Sequence, residues 1–112
     1  MGMDKNLVSG STGMLLLKLL SERDMYGYEM IECLRQRSRN VFELKAGTLY
    51  PLLHSLEERR YLESYDREAA GKVRKYYHIT GEGLRALREK KQEWEAYAKA
   101  VSDLLAMEGI ML

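Results

Sequence analysis

Cysteine, proline, tryptophan and phenylalanine each occur once in these 112 residues, and histidine only twice. The lone Cys33 excludes a disulfide framework and a cysteine-based zinc site. His54 and His78 share no metal-ligand spacing, and two histidines leave general-base chemistry unrecognisable. Phosphate-binding glycine loops and nucleophile elbows are also missing, so no enzyme, cofactor or metal is expected. Long apolar runs are absent. Met14–Leu17 falls far short of the roughly 20 residues that cross a bilayer, so no membrane partner is expected. No apolar stretch follows Met1–Lys5, which argues against a secretory signal and for a reducing cytoplasm. Net charge is only +1, so any nucleic-acid role depends on where the charge sits.

What is present is ordinary material for one folded domain, with 46% hydrophobic and 31% charged residues. Ser11–Ser21 predicts a first helix with Met14, Leu15, Leu17 and Leu19 or Leu20 on a broad apolar face. Asp24 is the expected N-cap of a second helix, Tyr26–Ser38, with Met30, Ile31 and Leu34 as its inner stripe. A third helix is expected over Ala46–Arg60. The period then changes. Tyr61–Tyr65 and Val73–Ile79 are rich in aromatic and β-branched residues and predict two strands. The polar stretch Asp66–Lys72 between them predicts a loop, giving a β-hairpin with a basic tip. Thr80 caps a last helix to about Met107, roughly 40 Å long at ~1.5 Å per residue. Gly83 occupies the position where a capping box would place a glutamate. The expected fold is mainly α with a small β-hairpin (α+β): a winged helix-turn-helix over residues 1–80, then a long C-terminal helix within 81–112.

The third helix divides into two faces at ~100° per residue. Leu49, Leu52, Leu53 and Leu56 form the core side. Gly47, Tyr50, Pro51 and His54 lie opposite or beside it, near the N-terminal end that a helix-turn-helix inserts into the major groove. Tyr50 and His54 each offer a hydrogen-bonding tip, Pro51 a small rigid ring, and Lys45 and Thr48 suit backbone phosphates. Glu58, further down the same face, is a counter-signal. Between Arg35 and Lys75 ten basic residues face six acidic ones, a surplus of +4 that leaves the rest of the chain slightly acidic. Lys72, Arg74 and Lys75 stand where a wing meets phosphates or the minor groove.

Three motifs carry a resemblance. Tyr26-Gly27-Tyr28-Glu29, Gly47-Thr48-Leu49-Tyr50-Pro51-Leu52-Leu53 and Arg74-Lys75-Tyr76-Tyr77-His78-Ile79-Thr80 together resemble the PadR family of bacterial transcriptional regulators, over roughly Leu15–Leu105. The resemblance implies a winged helix-turn-helix homodimer, mostly a repressor, that binds double-stranded operator DNA. It places DNA contact on Thr48, Tyr50, Pro51 and His54 of the third helix and on Lys72, Arg74 and Lys75 of the wing. The single terminal helix resembles the small subfamily, in which that helix makes the dimer.

The last helix supports such a role by its own pattern. Leu84, Leu87, Lys91, Trp94, Ala98, Val101 and Leu105 recur at alternating steps of three and four, a heptad seam interrupted at Lys91. A homodimer interface through Leu84, Leu87, Trp94, Ala98, Val101 and Leu105 is therefore expected. Trp94 is either an interface core residue or, with Tyr97, one wall of a pocket for a small aromatic, drug-like effector. Cys33 is read as a small buried hydrophobe rather than a redox sensor. The rival to DNA regulation is a winged-helix protein-interaction module without DNA binding.

Overall fold

Leucine spacing builds the first layer. The computed structural model describes residues 5–107; the reading of Met1–Lys5 falls almost wholly outside them, as does the end of the terminal segment, 108–112. Helix α1 covers Lys5–Glu22, starting earlier than its apolar pattern predicts. Leu16, Leu17, Leu19 and Leu20 are all buried, so Leu16 joins the core although a single-stripe reading omits it. Helix α2 covers Gly27–Arg37 and buries Met30 and Leu34, while Ile31 is half-buried against the same cluster. Helix α3 covers Ala46–Glu58 and buries Leu49, Leu53 and Leu56.

Asp24 does not cap α2. The cap residue is Tyr26, whose backbone N–H donates to the Glu29 carboxylate at 3.2 Å, the returning half of a capping box. Met25–Tyr26 form a two-residue strand, β1, too short to leave a periodic signal. Asp24 has tertiary partners instead, and they outcompete the local cap.

The hairpin is longer than expected. Strand β2 covers Leu62–Ala69 and β3 covers Lys72–Ile79, and the sheet order is β1-β3-β2, all antiparallel. Most of the predicted polar loop is therefore strand. The reversal takes only Ala70 and Gly71, at φ +52° and +77°. Positive φ at both central residues is the type I′ pattern, whose twist matches that of the strands it joins.

At the end of α3 the chain stops helically through Arg60 at φ +63°, with Tyr61 N–H donating to Leu56 O and Arg60 N–H to Glu57 O. These are the two bonds of a Schellman motif, here with arginine in the left-handed position. Helix α4 covers Gly81–Ala106. Thr80 Oγ1 accepts from Gly83 N–H at 3.0 Å and donates to Arg60 O at 2.7 Å, which ties the start of α4 to the end of α3. Gly83 explains the missing glutamate: a Cβ there would lie 2.3 Å from Tyr61 O.

Beyond Leu87 and Lys90 most of α4 projects into solvent. The radius of gyration is 16.6 Å and the extents are 63 × 33 × 21 Å, against about 13 Å for a compact chain of this length. No helix among the described residues is long and apolar enough to cross a membrane.

Candidate nucleic-acid interface

The outer face of α3 is a stripe at helical spacing. Gly47, Thr48, Pro51, His54 and Glu58 are exposed, backed by the buried leucines, and Lys45 stands exposed at the N-cap. No side chain caps the start of this helix. Pro51 sits in the second turn rather than the first, so the helical bond it cannot donate is the one to Gly47 O, on the exposed side. Nothing approaches within 4 Å of where a Gly47 Cβ would be, so this end of α3 is open to close contact.

Tyr50 departs from the expected reading face. It is half-buried against the core cluster, and a Cβ on Gly27 would lie 2.3 Å from its hydroxyl. The ring fills the space that Gly27 leaves at the start of α2 and seats α3 against α2. Thr48, Pro51, His54 and Lys45 keep their exposed positions.

The hairpin sorts its charges by face. Register pairs Arg67 with Arg74, Ala69 with Lys72 and Tyr65 with Tyr76, and side chains alternate along each strand. One face therefore carries Arg67, Lys72 and Arg74, with Glu63 and His78 near its base. The opposite face carries Asp66, Glu68, Val73 and Lys75 and continues into Ser64, Tyr77 and Ile79, the part that packs on α3. Lys75 lies on this second face, with Asp66 across the strand and the Glu57 carboxylate 4.0 Å away. The expected basic cluster of Lys72, Arg74 and Lys75 is thus split between two faces. Arg67, absent from that cluster, stands on the basic face. The signal that finds it is period two: Asp66-Arg67-Glu68 reads as a loop by polarity and as an alternating strand by parity.

An aromatic ladder supports the basic face. Tyr26 meets Tyr76 edge-on at 5.4 Å, and Tyr65 stacks on Tyr76 at 5.8 Å. The Arg74 guanidinium lies 4.5 Å from the Tyr26 centroid and that of Arg67 lies 5.1 Å from Tyr76. Asp24 anchors the ladder, accepting from Tyr65 Oη at 2.5 Å and meeting His78 Nδ1 at 2.8 Å. Burial alone pushes the Asp24 carboxyl up, but the hydrogen bonds from Tyr65 and His78 outweigh it and hold the carboxyl below its ordinary range. The same bond to the Asp24 carboxylate, with burial, raises the Tyr65 phenol.

Ion pairing thins the basic surplus further. Arg35 pairs with Glu32 and Arg37 with Glu22, whereas Lys45, Arg67, Lys72 and Arg74 form no ion pair among the described residues. Along α4, Leu84, Trp94, Val101 and Leu105 are exposed while Leu87 and Ala98 are half-buried. Leu104, outside the expected seam, is 66% exposed. The Trp94 and Tyr97 rings lie 6.0 Å apart, tilted, both in solvent.

Comparison with known proteins agrees with this architecture. The model of the transcriptional regulator PadR-like family matches residues 16–89. An uncharacterized protein of Lysinibacillus sphaericus is 37% identical over 106 residues, covering 94% of this chain and 95% of that one. A transcriptional regulator of Mycobacterium tuberculosis is 37% identical over 67 residues, 60% of this chain and 63% of its own length. Among solved structures, a transcriptional regulator from Clostridium thermocellum superposes with a TM-score of 0.82 at 34% identity, covering 88% of this chain and 97% of that one. A PadR-like transcriptional regulator from Bacillus cereus gives 0.83 at 31% identity, over 93% and 100%. With three helices, a small three-stranded sheet that includes the β2–β3 hairpin, and a long last helix, this chain belongs to the PadR-like family of winged-helix transcriptional regulators, which are not enzymes.

Proposed function

We propose that the protein is a sequence-specific DNA-binding repressor that acts in the cytoplasm as a homodimer. The observation that carries this reading is the exposed α3 stripe of Lys45, Thr48, Pro51 and His54 on a leucine-backed helix, with a hairpin beside it that exposes unpaired cations. Residues 1–80 meet the operator and 81–112 join the protomers. Dimerisation is supported by the uncovered apolar side chains of α4: Trp94 at 48%, Val101 at 36%, Leu104 at 66% and Leu105 at 80% exposure leave an arm that one protomer cannot cover. Replacing Val101, Leu104 and Leu105 together by serine should give a folded monomer by analytical ultracentrifugation.

The test of DNA binding is anisotropy with a duplex from upstream of the protein's own gene and a scrambled duplex, across a salt series. Preference by ~10³ or more, with affinity falling steeply as salt rises, supports a specific regulator. No binding to either at low salt favours a winged-helix protein-interaction module. Transcription in vitro from the preferred duplex separates repression from activation. One observation favours a second property. Trp94 and Tyr97 present two tilted rings to solvent, and their symmetry mates would complete a slot for a flat aromatic effector that releases the operator. Planar cationic dyes should then quench Trp94 fluorescence, and no quenching at high micromolar dye would refute the slot.

A further inference from the structure

Resting on the DNA-binding reading, the structure assigns Arg67, together with Arg74 and Lys72, as the phosphate-binding face of the wing, and excludes Lys75 from it. Arg67 and Arg74 are register partners on adjacent strands and share one face. Like charges set directly opposite each other destabilise a strand pair, so two facing guanidinium groups without an anion are unfavourable. Each is instead laid on a tyrosine, Arg67 on Tyr76 and Arg74 on Tyr26, which fixes the planar groups before any ligand arrives.

Donors remain unused. Among the described residues neither arginine has an ion-pair partner, and Arg74 Nε is buried with no hydrogen-bond partner at all. Asp24 attracts Arg67 electrostatically, but both its oxygens are already engaged, by Tyr65 and His78. A phosphodiester oxygen between the two guanidiniums would neutralise the repulsion and could take the unpartnered Arg74 Nε–H, the planar fork being suited to that geometry. Lys72, one step nearer the tip on the same face, extends the footprint toward the next phosphate. Lys75 faces Asp66 and Glu57 and lies 5.7 Å from the Tyr77 centroid, on the side whose acidic residues repel a phosphate backbone.

The test is the salt dependence of binding of the full chain to its preferred duplex, comparing wild type with Arg67→Gln, Arg74→Gln and Lys75→Gln. Glutamine keeps most of the side-chain stem over the tyrosine. Arg67→Lys is the companion that keeps the charge, and circular dichroism checks that each variant folds. The slope of log affinity against log salt should shrink by roughly one per protomer for Arg67→Gln and for Arg74→Gln. Affinity should fall by roughly tenfold or more for each, Arg67→Lys should retain the wild-type slope, and Lys75→Gln should leave slope and affinity unchanged. A wild type that binds with a slope insensitive to both arginine changes overturns this assignment while leaving the regulator reading intact. So does a slope that responds to Lys75→Gln instead. A wild type that binds no duplex overturns both.

Discussion

Two glycines near the start of α4 should respond to the same substitution with opposite sign. At Gly81 an added Cβ meets nothing within 4 Å. Alanine there gains helix propensity and restricts the unfolded chain, a benefit of up to about 1 kcal/mol. At Gly83 the Cβ would lie 2.3 Å from Tyr61 O and 2.7 Å from Ile79 Cγ1. The first of these is backbone and cannot swing aside. It also accepts from Thr80 N–H at 3.0 Å, the bond that holds the cap residue in place. Overpacking of this kind costs about 1–3 kcal/mol and a weakened hydrogen bond about 1 kcal/mol more, against a propensity gain of at most about 1 kcal/mol. Gly83→Ala should therefore destabilise by about 1–3 kcal/mol, roughly 4–15 °C in Tm for a domain of this size, while Gly81→Ala shifts Tm by zero to a few degrees upward. Thermal denaturation at one fixed protomer concentration reads both, because dimerisation would make Tm concentration-dependent. A Gly83→Ala protein as stable as wild type, or two glycines that shift Tm alike, would refute the account of how α4 is seated.

Two more outcomes follow from contacts around α3 and the hairpin. Gly27→Ala brings a Cβ to 2.3 Å from Tyr50 Oη and 2.8 Å from its Cζ, and should cost about 1–2 kcal/mol. Tyr50→Ala in the same chain should cost less than it does alone, so additive effects in a double-mutant cycle on the unfolding midpoint would disprove the packing. Asp24→Asn removes a carboxylate whose folded value lies below its ordinary 3.8. The stabilisation is present above the unfolded value and fades as pH falls through the folded one, so the variant's deficit in urea midpoint should be full at neutral pH and shrink below about pH 3.8. A deficit independent of pH across that range would mean the charge is not what matters.

The three helical cores were legible because leucine and methionine recur at helical spacing and little else competes for those positions. The cap on α4 was legible too, since Thr80 acts through residues adjacent in sequence. Failures came where local chemistry lost to a distant partner. Asp24 has the propensity of an N-cap, yet Tyr65 and His78, 41 and 54 residues away, take its carboxylate. Tyr50 falls outside the leucine stripe on the helical wheel, yet a missing side chain at Gly27 draws it inward. No pattern in α3 alone encodes that space. The strand β1 is two residues long and exists only because Tyr76 and Tyr77 pair with it.

The wing shows why charge counting by segment falls short of a site. Over β2 and β3 the basic residues Arg67, Lys72, Arg74 and Lys75 nearly balance the acidic Glu63, Asp66 and Glu68, and with no sorting by face that composition would present only a weak positive field. Extending the strands to a two-residue turn places Arg67, Lys72 and Arg74 on one face and Asp66 and Glu68 on the other. The Ala70-Gly71 turn thus decides the electrostatics as well as the shape, because one residue more or less in either strand would exchange the faces. With a chain charge of only +1, the proposed DNA contact would depend on that separation, which concentrates positive charge at one edge instead of spreading it over the surface.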